Sequence, residues 1–101
     1  MKVMLKEYSW KGVFILPEIS LFFGIRITIN YSYHMPPHFH AEYNGDRALI
    51  DIMDVKVLKG MLPKRQLKLV LAWAELHKDE LIQNWELSRS HERLNKISPL
   101  S

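Results

Sequence analysis

Three of the chain's five histidines, His34, His38 and His40, fall within seven residues and flank the diproline Pro36-Pro37. Imidazole has two chemical uses at neutral pH. It ligates metals through a neutral ring nitrogen, and with a pKa near 6.5 it takes and gives protons. If the stretch after the prolines continues as a strand, alternation sets His38, His40 and Glu42 on one face and Phe39, Ala41 and Tyr43 on the other. His38 and His40 could then offer two imidazoles to one ion. Glu42 or His34 would add a third ligand and leave an open position for water, as in catalytic zinc sites. The candidate metal set is therefore His34, His38, His40 and Glu42, with a divalent metal such as zinc as the cofactor. Without a metal, His38 and His40 are the candidate catalytic pair for acid–base cleavage of RNA or a nucleotide. The bland alternative is that these histidines bond loop carbonyls at a strand entrance.

A second cluster is basic. Lys64, Arg65 and Lys68 sit in the first turns of an expected helix, close to Lys56 and Lys59. Cations at a helix N-terminus oppose the macrodipole, yet with the unpaired amide N–H groups there they form a candidate anion site. A solvated basic face, which costs little when the side chains extend into water, is the preferred reading of them. No phosphate-binding glycine loop, G-x-S-x-G or H-E-x-x-H occurs.

The elements that must position these residues are legible in outline. Phe23, Ile25, Ile27, Ile29 and Tyr31 alternate with Gly24, Arg26, Thr28 and Asn30, the pattern of a half-buried strand. Residues 34–37 make a loop, because proline cannot donate to a ladder. A strand follows over His38–Tyr43. Asn44-Gly45 cues a tight hairpin with positive φ at both turn residues, and a strand over Arg47–Met53 returns with Ala48, Ile50 and Ile52 inward. A short strand over Val55–Leu58 follows the turn at Asp54, and Val13–Leu16 offers one more. Pro63 marks a helix start, and Lys64–Arg89 contains no glycine or proline. One helix of that length would run about 40 Å at 1.5 Å per residue, so a break near His77-Lys78 is expected, with Asp79 capping a second helix. The fold class is α+β: an antiparallel sheet of three to four strands followed by one long or two shorter C-terminal helices packed on it. Residues 1–16 read as an extension, strand or arm, and residues 17–101 as a single domain.

Composition bounds the partners. The 101 residues contain no cysteine, which removes disulfides and thiolate metal sites, and the net charge of +3 is too small to demand nucleic acid. Lys6, Glu7, Lys11 and Gly12 interrupt any apolar leader, and no run of about 18 apolar residues is present, so a cytoplasmic protein without a membrane span is expected. Between Leu69 and Leu76 the helix is apolar on more than one side, which predicts a homodimer or cover by the N-terminal arm. The ending Ser98-Pro99-Leu100-Ser101 reads as a weakly packed or partner-docking tail.

Together these residues resemble the prokaryotic domain-of-unknown-function family 4160. The resemblance runs over residues 17–100 and is carried by Pro17-Glu18-Ile19-Ser20, Phe22-Phe23-Gly24-Ile25, Pro36-Pro37-His38-Phe39-His40-Ala41-Glu42-Tyr43, Gly60-Met61-Leu62-Pro63-Lys64-Arg65, Trp73, Asn84-Trp85 and Lys96-Ile97-Ser98-Pro99-Leu100. Members often carry aspartate just before the first histidine, where this chain has Tyr33. The resemblance implies a component of a two-gene toxin–antitoxin-type or stress module that acts through a small protein encoded next to it. It supplies no catalytic or ligand residues. A histidine-dependent RNA-cleaving enzyme and a nucleic-acid-binding regulator are the alternatives.

Overall fold

The computed structural model describes residues 17–31 and 34–101, and tight turns organise its sheet. Five strands, β1 (Glu18–Phe22), β2 (Ile25–Thr28), β3 (His38–Tyr43), β4 (Asp46–Asp51) and β5 (Lys56–Gly60), form an antiparallel meander in sequence order. Two helices follow, α1 (Lys64–Leu76) and α2 (Lys78–Arg89). The expected α+β class holds, with one or two strands more than expected.

The extra strand comes from the first apolar run. Instead of one strand through Phe23, the chain reverses at Phe23-Gly24, both at positive φ (50° and 78°), and pairs Phe22 with Ile25. Two consecutive positive φ values match the right-handed twist of the flanking strands, but a phenylalanine rarely supplies one, so the turn leaves little trace in the sequence. The reversal also puts Phe23 in solvent while Phe22 is buried. Asn44-Gly45 behaves as its composition dictates, with φ of 47° and 89° and Tyr43 paired to Asp46.

Alternation then selects the core face. Ile25, Ile27, Phe39, Ala41, Ala48 and Ile50 are all buried, and register places Ile27 beside Ala41 and Phe39 beside Ile50. Helix α1 lays Val70, Trp73 and Ala74 into the core. The Trp73 ring stands edge-on to Phe39 at 5.8 Å and lies 5.2 Å from Phe22. Burying each such side chain contributes about 1.5–3 kcal/mol. Leu67, Leu69 and Leu71 also pack, partly buried, against the core, while Leu76 at the end of α1 is 71% exposed.

The helical stretch breaks at His77, as its length demands. His77 leaves helical geometry (φ −116°, ψ 26°) while its N–H still bonds the Trp73 carbonyl and its carbonyl accepts from Leu81. His77, not Asp79, stands at the cap of α2. Its Nδ1–H donates to the Glu80 carboxylate, and Asp79 lies in the first turn.

The C-terminal segment is the larger departure from expectation, because it is clasped rather than loose. The buried Asn84 amide donates to the Asn95 carbonyl and accepts from the Asn95 N–H, both at 2.8 Å. Trp73 Nε1–H donates to the Ser98 carbonyl at 2.8 Å, and Ile97 N–H reaches the Ile19 carbonyl on β1 at 2.8 Å. Ile97 is itself part of the core. Further upstream, His91 stacks on Tyr31 with rings 5.8 Å apart. The strand expected at Val13–Leu16, the extension 1–16 and Tyr33 lie outside the described residues. Among the described residues no helix is long and apolar enough to cross a membrane.

Candidate functional site

Strand β3 carries the histidine pair and follows the diproline loop directly. The Met35–Pro36 bond is cis. His38 opens the strand opposite Asp51, His40 lies between Thr28 and Leu49, and Glu42 lies between Arg26 and Arg47. The His38 and His40 rings are 5.7 Å apart, so alternation does bring them together on one face.

Their surroundings differ. His38 is buried, packs 5.1 Å from the Trp85 ring of α2, and faces the Pro36 carbonyl through Nδ1 at 2.8 Å. A carbonyl only accepts, so Nδ1 carries the proton and Nε2 of the neutral ring is left as the acceptor. One contact thus anchors the diproline loop to the strand and sets the tautomer. His40 is half-buried, and its pKa falls from 6.5 to about 4. Burial is the main cause, followed by the charges of His38 and Arg47. At neutral pH His40 is an uncharged imidazole.

Glu42 points its carboxylate elsewhere. Its two oxygens lie 3.7 Å from Arg26 Nη1 and 3.8 Å from Arg47 Nε, and Arg26 also bonds Glu18 at 3.1 Å. The result is a ladder, Glu18–Arg26–Glu42–Arg47, running across four strands on a part-exposed face. Each pair contributes about 0–1 kcal/mol at such exposure. The ladder matches Glu42 across to its strand neighbours. His34 lies exposed in the loop. Among the described residues no three His, Asp or Glu side chains are grouped so as to hold a metal ion. Of the set His34, His38, His40 and Glu42, the structure sets His38 and His40 side by side and places Glu42 between two arginines.

The basic cluster is brought together. Lys64, Arg65 and Lys68 line a shallow, open concavity of about 480 Å³ with Leu69, at a helix start that has no acidic residue in its first turn.

Two contributors escaped the sequence reading. Arg47, which helps to hold His40 neutral, follows from the hairpin: a two-residue turn at Asn44-Gly45 pairs Glu42 with Arg47. Asn84 lies three residues beyond Leu81 on the apolar stripe of α2, and a polar residue on a buried stripe signals a specific hydrogen-bond partner. Nothing comparable pointed to the Trp73 indole as a tail anchor.

Comparison with known proteins finds no matching curated protein and no matching solved structure. A family model does match, over residues 24–86, which take in the hairpin of β1 and β2 from its turn onward, the histidine strand and nearly all of both helices. The chain belongs to the family described as Domain of unknown function (DUF4160).

Proposed function

We propose that this protein is one component of a two-gene prokaryotic module of the toxin–antitoxin or stress type, and that it acts by binding a small protein encoded by a neighbouring gene. The observation that carries this reading is the set of large apolar side chains left in water on a small chain: Leu76 at 71%, Met61 at 65% and Leu58 at 39% exposed, the last two at the outer strand of the sheet and just beyond it. Leu58 and Met61 stand along the chain beside the exposed Lys56 and Lys59, the mixture of apolar and charged groups that a partner surface presents. The residues that suggested chemistry are, by contrast, engaged in the fold: Glu42 with two arginines, and His38 with a loop carbonyl and Trp85. A cytoplasmic location accords with such a role. Cover of Leu76 by a second copy belongs to the same proposal, and a monomer by light scattering at micromolar concentration removes the homodimer from it.

The test is co-expression with the product of the adjacent reading frame, tagged on that product, followed by gel filtration and growth curves. A stoichiometric complex together with growth inhibition by one member alone is expected. Absence of both discards the reading.

A second reading has one observation in its favour. His40, held neutral, lies 5.7 Å from His38: in acid–base cleavage of RNA His40 would take the 2′-hydroxyl proton, and His38 would be the group that has to protonate the leaving oxygen. If His38→Ala with His40→Ala leaves growth inhibition and partner binding unchanged, this reading is abandoned. A zinc titration without heat removes the metal-dependent version.

A further inference from the structure

We propose that the outer edge of β5 receives an extended acidic segment of the partner protein, which pairs with it as an added strand. The proposal rests on the partner reading above and names the chemistry of that partner. Strand β5 ends the sheet, so alternate N–H and C=O groups of Lys56–Gly60 point away from β4 with no described strand beyond them. An unpaired edge is a template for strand addition. Its side chains fit that use: Lys56, Leu58 and Lys59 are exposed, a bulge sets Leu58 out of register with β4, and Met61 stands 65% exposed just past the strand.

Charge decides what kind of strand. From residue 54 to 68 the chain carries Lys56, Lys59, Lys64, Arg65 and Lys68 against the single Asp54, more positive charge than the net +3 of the whole chain. The arginines of the sheet face are matched by Glu18 and Glu42. Here only Lys56 has a carboxylate nearby, Asp54 at 3.9 Å, and among the described residues Lys59, Lys64, Arg65 and Lys68 have no ion-pair partner. A second copy is a poor occupant, because β5 against β5 would set Lys56 and Lys59 of two chains together, and like charges across strands repel. Single-stranded RNA is also disfavoured, since residues 54–68 hold no aromatic side chain on which a base could stack. A segment alternating Glu or Asp with apolar residues answers both the lysines and Leu58.

Two probes test this: the purified product of the neighbouring gene, and a fluorescein-labelled peptide of alternating glutamate and valine. Each is titrated against the wild type and against Lys56→Glu with Lys59→Glu, whose fold is checked by circular dichroism. Affinity should fall at least about tenfold in the double variant, and bound wild type should gain hydrogen-exchange protection over Lys56–Gly60. If the neighbour binds with equal affinity to both forms and leaves β5 exchange unchanged, the edge proposal is overturned while the module reading stands. If only the peptide binds and protects β5, the edge is upheld and the module reading falls. Binding of neither probe overturns the proposal. So does a labelled single-stranded RNA that binds more tightly than the peptide with a steep salt dependence.

Discussion

Replacing Asn84 with alanine should loosen the C-terminal segment. The amide makes two hydrogen bonds at 2.8 Å to the backbone of Asn95, acting as a strand partner would. Each contributes about 0.5–1.5 kcal/mol net. Asn95 is exposed, so water can replace the lost partner and the full penalty for a buried unsatisfied group is not incurred. Loosened docking also uncovers part of Ile97, 3% exposed in the fold, at about 1 kcal/mol more. The expected loss is about 2–4 kcal/mol, read from urea denaturation as a lower midpoint with an unchanged slope. At about 4–8 °C per kcal/mol the melting temperature falls by more than about 8 °C. Asn84→Asp should be worse at pH 7, because the carboxylate accepts from the Asn95 N–H but sets a second oxygen against the Asn95 carbonyl. Its cost should shrink as acid protonates the introduced group. In a chain truncated after Leu94 the alanine substitution should cost much less, since its partner is gone. A full-chain loss below about 0.5 kcal/mol, or an equal loss in the truncated chain, refutes the clasp.

His40 gives a pH signature. Its folded pKa of about 4 lies below the ordinary 6.5, so the folded state favours the neutral ring. The associated stability is fully present above pH 6.5 and is lost as pH falls toward 4, on the order of 3 kcal/mol in all. Denaturant midpoints for His40→Gln should lack that part of the acid slope, and an identical slope in both proteins contradicts the assignment. Gly60→Ala should be severe, since the added Cβ would lie 2.2 Å from the Arg47 carbonyl oxygen at φ +81°, whereas Gly45→Ala, with open space around it, should cost only the positive φ, about 1 kcal/mol. Thermal melts that rank the two alike would contradict the close approach. Trp73→Phe removes the indole bond to Ser98 and leaves a gap against Phe22 and Phe39. It should cost about 2–4 kcal/mol by denaturation and speed proteolysis after residue 94; cleavage at the wild-type rate would argue that the tail is held without it.

Much of this architecture was written locally. Asn44-Gly45 sets its hairpin because those two residues tolerate positive φ. Pro63 and the glycine-free stretch after it announce the helices, and strand alternation alone places His38 beside His40 and Phe39 in the core. The Phe23-Gly24 turn was hidden because its first residue is a type that seldom adopts that conformation. The family, too, was legible from the diproline–histidine string.

What side chains do once placed depended on partners far along the chain. The sequence by itself put Glu42 on the histidine face, but only the assembled sheet set Arg26 and Arg47 on either side of it and made it a rung of an ionic ladder. It marked Trp73 and Asn84 as helix residues, while their bonds to Ser98 and Asn95 exist because the tail folds back over α1 and α2. It gave no hint that Trp85 would cover His38. Local conformation is governed by sterics within a few residues. Hydrogen-bond and charge partnerships form across whatever distance the core closes, and for these residues only the tertiary structure decided them.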